Sequence, residues 1–212
     1  MHHLIRQGTI TILIFSMLAF ISVFWIDREL AISIHSSRID QLPILQFISN
    51  WFPTSISIFF LAFLFFVRIK NNFGHRIILY IYLIILTYTA GYIKTGLKII
   101  FGRYWPKTWL NSNLSLINNN VFGFNWMQGY ENQGSFPSGH STFIAVTCVA
   151  MTIIYPQWIK LWVSLIVLMV ASQVILDYHF LGDCFAGVAL GGGCAFFGMA
   201  LYLKFLRPKN QT

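Results

Sequence analysis

The stretch Phe136-Pro137-Ser138-Gly139-His140, read together with His179-Phe180-Leu181-Gly182-Asp183, decides how the chain is understood. Each places a histidine at the end of a long apolar segment. Ionisable groups beside membrane spans are costly and are kept mainly for function. Proline suits the first turn of a helix, where its missing N–H costs nothing, so Pro137 is expected inside a helix start. Ser138 and Gly139 would then present open backbone N–H groups, and such a terminus attracts anions through its donors and its dipole. His140 falls in the same turn. His179 and Asp183 are four residues apart and share a face if helical. A carboxylate so placed holds one imidazole nitrogen and leaves the other available for chemistry. An anion cradle with two histidines and an orienting acid points to phosphoryl transfer.

Outward from these stretches the chain is apolar. Of 212 residues, 57% are hydrophobic and 9% charged, against about a quarter charged in a soluble domain. The apolar residues fall in long runs, which describes an integral membrane protein. The reading is an all-α, polytopic single domain, 1–212, with six spans of about 20 residues. They lie near 8–26, 53–67, 77–100, 137–155, 158–176 and 183–206. Residues 8–26 lack a clear small-residue cleavage site and are taken as the first helix, not a leader. A mixed segment, 27–50, and a polar, aromatic loop, 102–136, separate spans.

The net charge of +8 is distributed by membrane side, which argues against a nucleic-acid footprint. Arg6, Arg68, Lys70, Arg76, Lys160, Lys204, Arg207 and Lys209 fall on one side with no acid. Arg28, Arg38, Lys94, Lys98, Arg103 and Lys107 share the other with every Asp and Glu. The positive-inside rule makes the first side cytoplasmic. Both termini are then inside, and the loop, Pro137 and His179 meet at the outer face. Trp51, Trp105, Trp109, Trp126 and Trp158 sit near the expected interfaces. Cys148, Cys184 and Cys194 fall within spans and form no redox or metal pattern. Gly187 and Gly191, extended by Gly192 and Gly193, make a GxxxG step for close packing within the monomer or between copies.

Lys98 and Arg103 end the third span beside the expected anion site and suit a phosphate clamp. Lys94 lies one turn earlier. Asp177, two residues before His179, is off its helical face and is read as a bystander. A metal held by His140, His179 and Asp183 is disfavoured by the basic neighbours.

These residues resemble the type 2 phosphatidic acid phosphatase superfamily of membrane lipid phosphatases. Its pattern is Lys, six residues, Arg-Pro; then Pro-Ser-Gly-His; then Ser-Arg, five residues, His, three residues, Asp. Pro137-Ser138-Gly139-His140 is intact. Ser172-Gln173 precedes His179 and Asp183 at the family spacing, and Lys98 precedes Trp105-Pro106. The resemblance covers about 92–187. Trp105 and Gln173 stand where the family has arginines, so two phosphate-gripping cations are missing.

The resemblance implies His179 as nucleophile, Asp183 as its orienting acid and His140 as general acid and base. It implies phosphate contacts from Lys98, Arg103, Ser138, Gly139, Ser172 and Gln173, and no metal or cofactor. The expected activity is hydrolysis of an amphiphilic phosphate monoester or pyrophosphate at the outer face of a bacterial cytoplasmic membrane. Phosphatidate, phosphatidylglycerol phosphate, polyprenyl pyrophosphate and a lipid A phosphate are candidate substrates. A phosphotransferase on the same scaffold and a weakened lipid-phosphate-binding homologue are the alternatives. A homo-oligomer through the Gly187/Gly191 face is a further expectation.

Overall fold

A computed structural model describes residues 1–41, 43–44, 46–47, 73–108, 112–128 and 134–206. The elements are α1 (His2–Trp25), α2 (Asp27–Ser37), α3 (Phe73–Phe101), the short α4 (Leu116–Asn119), α5 (Gly139–Ile154), α6 (Ile159–Ile175) and α7 (Leu181–Phe205). Among the described residues, four long stretches are apolar enough to cross a membrane: His2–Trp25, Ile78–Phe101, Pro156–Ile175 and Leu181–Phe205. They match the first, third, fifth and sixth expected spans. α5 is a shorter apolar helix of 16 residues in the place of the fourth. The expected span at 53–67, with Trp51, lies outside the described residues.

α7 is the axis of the bundle, with α1 against one side and α5 against the other. Small residues make this possible. A Cβ at Gly187 would stand 2.6 Å from the Ser138 carbonyl, and one at Gly191 would run into the Thr142 carbonyl and Ala145. Gly192 and Gly193 meet Thr11 and Ile12 of α1 instead. With little hydrophobic drive between helices in lipid, such close backbone approach supplies the packing. The Gly187/Gly191 step thus packs within the protomer, the first of the two options its sequence allows. That face is consumed inside the protomer by α5, so a second copy has no access to it.

The remaining contacts complete the core. Ile144, Cys148, Met151, Trp162 and Met169 join α5 to α6, while Ala150, Ala195, Met199 and Tyr202 join α5 to α7. The Tyr82 hydroxyl of α3 donates to the Gly198 carbonyl at 2.7 Å. Outside this core, Leu13, Met17, Phe24, Ile85, Tyr92, Val167 and Phe205 are exposed. An apolar periphery of this extent suits hydrocarbon and not water.

The polar loop folds over one end of the bundle. Ser115 caps α4 by accepting from the Asn118 amide, and Asn120 ends it in the left-handed region. Bridges Arg103–Phe124 and Trp105–Ser115 tie the strand-like segments together. The C-terminal ends of α1, α3 and α6 and the N-terminal ends of α5 and α7 all meet beneath it.

Candidate active site

α5 begins two residues later than expected. Ser138 is its N-cap, its hydroxyl oxygen accepting from the Ser141 amide at 3.4 Å. Pro137 thus precedes the helix instead of opening its first turn. Serine is a preferred cap because its oxygen satisfies an amide that the helix leaves bare. The Ser138 amide also differs from the expectation, since it donates to the Asp183 carbonyl at 2.9 Å and fastens α5 to α7. Thr142 N–H returns to the Ser138 carbonyl. The helical pattern leaves the amides of Gly139 and His140 as the donors of the first turn.

His179 lies in the turn between α6 and α7 and is 4% exposed. Its backbone amide and that of Tyr178 both donate to the Gln173 carbonyl at 3.1 Å. Its Nδ1 stands 3.4 Å from Asp183 Oδ2. Asp183 in turn accepts from the Phe180 amide at 3.0 Å through that same oxygen, which fixes the carboxylate at the start of α7. Nε2 is the nitrogen left for chemistry. Burial pushes the His179 imidazole below its ordinary range, with the Asp183 hydrogen bond opposing and the Lys98 charge adding to the fall. Burial thus favours the neutral imidazole. His140 is within electrostatic reach of His179, Lys98 and Lys94.

The two lysines of α3 frame this site. Lys98 Nζ donates to the Gly134 carbonyl and lies 4.9 Å from the Trp105 ring. Trp105 lies beside His179 in a tilted ring pair, with centroids 5.0 Å apart and planes 39° apart. The residue that replaces a family arginine thus sets an aromatic wall beside His179. Lys94 reaches the start of α5, its Nζ 3.7 Å from the position of a Cβ on Gly139. It also lies over the Phe143 ring at 5.7 Å. Neither lysine has an acidic partner among the described residues. The sequence signal for Lys94 was its spacing of four from Lys98, which puts both on one helical face.

Three expected phosphate contacts are placed differently. Arg103 is fully buried, with Nη1 2.6 Å from Asp183 Oδ1 and Nη2 2.8 Å from Asp27 Oδ2. Phe122, Phe124 and Phe180 surround its guanidinium. It stands behind the Asp183 carboxylate that faces His179, and both its terminal nitrogens are engaged by acids. Ser172 donates its hydroxyl to the Met169 carbonyl of its own helix at 2.8 Å. Gln173 is also buried, with Nε2 3.7 Å from Met169 Sδ, and its contribution to the site is the carbonyl that holds His179.

A second polar group lies at the same end. Asp177, in the left-handed region at φ 53°, stands 3.7 Å from His35 Nδ1, and Asp40 stands 3.6 Å from the same nitrogen. Lys107 Nζ pairs with Asp40 at 2.5 Å. Burial, aided by Asp40 and opposed by Lys107, pushes the Asp177 carboxyl up to about 7. Among the described residues, these are the three whose donor atoms cluster as metal ligands would. Lys107 already gives Asp40 a cation, and His140, His179 and Asp183 form no such cluster.

The fold defines a polytopic, helical integral membrane protein with a polar, histidine-centred site at one end of its bundle. The sequence pattern of the PAP2 superfamily matches residues 76–207, and the chain belongs to that superfamily. It is 24% identical over 123 residues to a lipid A 1-phosphatase of Rhizobium etli, covering 58% of this chain and 50% of that protein. A lipid A 1-phosphatase of Rhizobium johnstonii is 25% identical over 126 residues, 59% of this chain and 48% of the relative. The chain thus matches about half the length of these curated relatives. A transmembrane PAP2-type phosphatidylglycerolphosphate phosphatase from Bacillus subtilis shares the fold, with TM-score 0.61 and 20% identity over 95% of this chain and 98% of that one.

Proposed function

We propose that the protein is a membrane lipid phosphatase that works through a phosphohistidine, without a metal, on an amphiphilic phosphate monoester or pyrophosphate. The observation that carries this reading is the buried His179–Asp183 pair, set beside His140, Lys98 and Lys94 at the start of α5. His179 Nε2 attacks phosphorus, and the bond from phosphorus to the lipid oxygen breaks. His140 donates its proton to that oxygen. Asp183 stabilises the charge that develops on the imidazole. Water then attacks the phosphohistidine, His140 takes its proton, and phosphate leaves with His179 neutral again. The first-turn amides of α5 and the two lysines stabilise the equatorial oxygens.

Lys94 supplies part of the charge that Trp105 and Gln173 do not. The charge asymmetry of the loops supports placing the site on the outer face, with both termini in the cytoplasm. The test is phosphate release by purified protein in detergent with EDTA present, over lipid A 1-phosphate, phosphatidylglycerol phosphate, phosphatidate and polyprenyl pyrophosphate. EDTA-resistant release that disappears in His179→Ala supports the reading. Label passed to a second lipid with little free phosphate would instead make the protein a transferase.

A further inference from the structure

Asp27 lies at the elbow between α1 and α2, far in sequence from the motifs, and is 1% exposed. Its Oδ1 accepts from the Ser22 hydroxyl at 2.6 Å and from the Gly182 amide at 2.9 Å. Its Oδ2 receives Arg103 Nη2 at 2.8 Å, while Arg103 Nη1 goes to Asp183 at 2.6 Å. A Cβ at Gly182 would stand 2.7 Å from Asp27 Oδ2, so the first turn of α7 rests directly on this carboxylate.

We propose, building on the phosphatase reading, that Asp27 is a positioning residue for the reaction: it offsets Arg103 so that the guanidinium does not cancel the field of the Asp183 carboxylate at His179. One guanidinium between two carboxylates leaves a net negative charge in a site closed to water. The surplus lies next to the imidazole that becomes cationic when phosphorylated, where a fixed charge acts most strongly. With Asp27 neutral, Arg103 and Asp183 cancel, and the imidazolium loses its support. The other groups facing His179 are Lys98 of α3, His140 of α5, and Trp105 and Ser135 of the loop. None of them carries a negative charge.

The experiment is a ¹⁵N-histidine NMR titration of the full chain in detergent, with the His179 signal assigned by its loss in His179→Ala. Asp27→Asn lowers the His179 midpoint by about one pH unit, a tenfold loss of proton affinity. Asp27→Glu restores most of it. Gly182→Ala, which drives a methyl against Asp27 Oδ2 and off Arg103, shifts it the same way and serves if Asp27→Asn does not fold. In phosphate release, Asp27→Asn lowers kcat about tenfold with KM within about twofold. An unchanged midpoint in the folded variants overturns the proposal, as does a KM effect without a kcat effect. The titration reads Asp27 whether or not the protein turns over. Absence of wild-type phosphate release beside a shifted midpoint would count against the phosphatase reading and not against this coupling.

Discussion

Two buried acidic groups sit at the same end of the bundle and are built in opposite ways. In the inner one, Asp27 and Asp183 share Arg103, and further donors from Ser22, Gly182 and Phe180 fill their remaining positions. In the outer one, Asp40 has Lys107, while Asp177 stands 3.7 Å from His35, and Asp40 Oδ1 and Asp177 Oδ2 have no hydrogen-bond donor among the described residues. Every carboxylate oxygen of the inner group has a donor, although Arg103 Nε has no acceptor among the described residues, and such a network fixes charge and geometry beside His179. An undersupplied one keeps a proton instead, and its charge changes with pH. Only the inner group touches His179.

The sharpest way to break this contrast is at the nucleophile. His179→Ala lowers phosphate release by about four orders of magnitude while leaving thermal stability near wild type, measured on the same preparation. Next is Arg103→Leu, which strands two buried carboxylates. It costs about 3–5 kcal/mol, read as a large fall in melting temperature, and adding Asp27→Asn recovers part of the loss.

The outer group makes a pH prediction. The folded carboxyl of Asp177 titrates at about 7, above its unfolded value of about 3.9. The folded state thus binds the proton more tightly, and this contribution is complete below about pH 4 and lost as pH rises through 7. Asp177→Asn removes that decline. The variant gains about 1–2 kcal/mol over wild type at pH 8 and little at pH 4, seen in melting curves across pH. The smallest effect is at the rim of the site. Lys94→Gln raises KM about three- to tenfold with little change in kcat, because a half-exposed point charge contributes modest binding.

Much of this was legible because the chemistry is local in sequence. Spans appear as apolar runs, and four of them match helices within a few residues at most boundaries. His179 and Asp183 are four residues apart, and Ser138, Gly139 and His140 are consecutive, so spacing alone brings each set together. Arg103 misled because its partners are remote. Asp183 is 80 residues away and Asp27 is 76, and no periodicity connects them. Beside lysine and a helix start, an arginine reads as a phosphate ligand until its carboxylates are seen. Gln173 differs, since its backbone carbonyl receives the His179 amide and a carbonyl is the same in any residue. Pro137 was placed two residues too deep because Ser138 is the better cap.

The most direct test of the account is rapid acid-free quenching of the wild-type protein with ³²P-labelled lipid phosphate, followed by peptide mapping of the label. The account predicts an acid-labile, alkali-stable phosphoryl group on the peptide carrying His179, formed in the presence of EDTA and missing from His179→Ala. Phosphate release at full rate by His179→Ala, or label trapped on another residue, would contradict it.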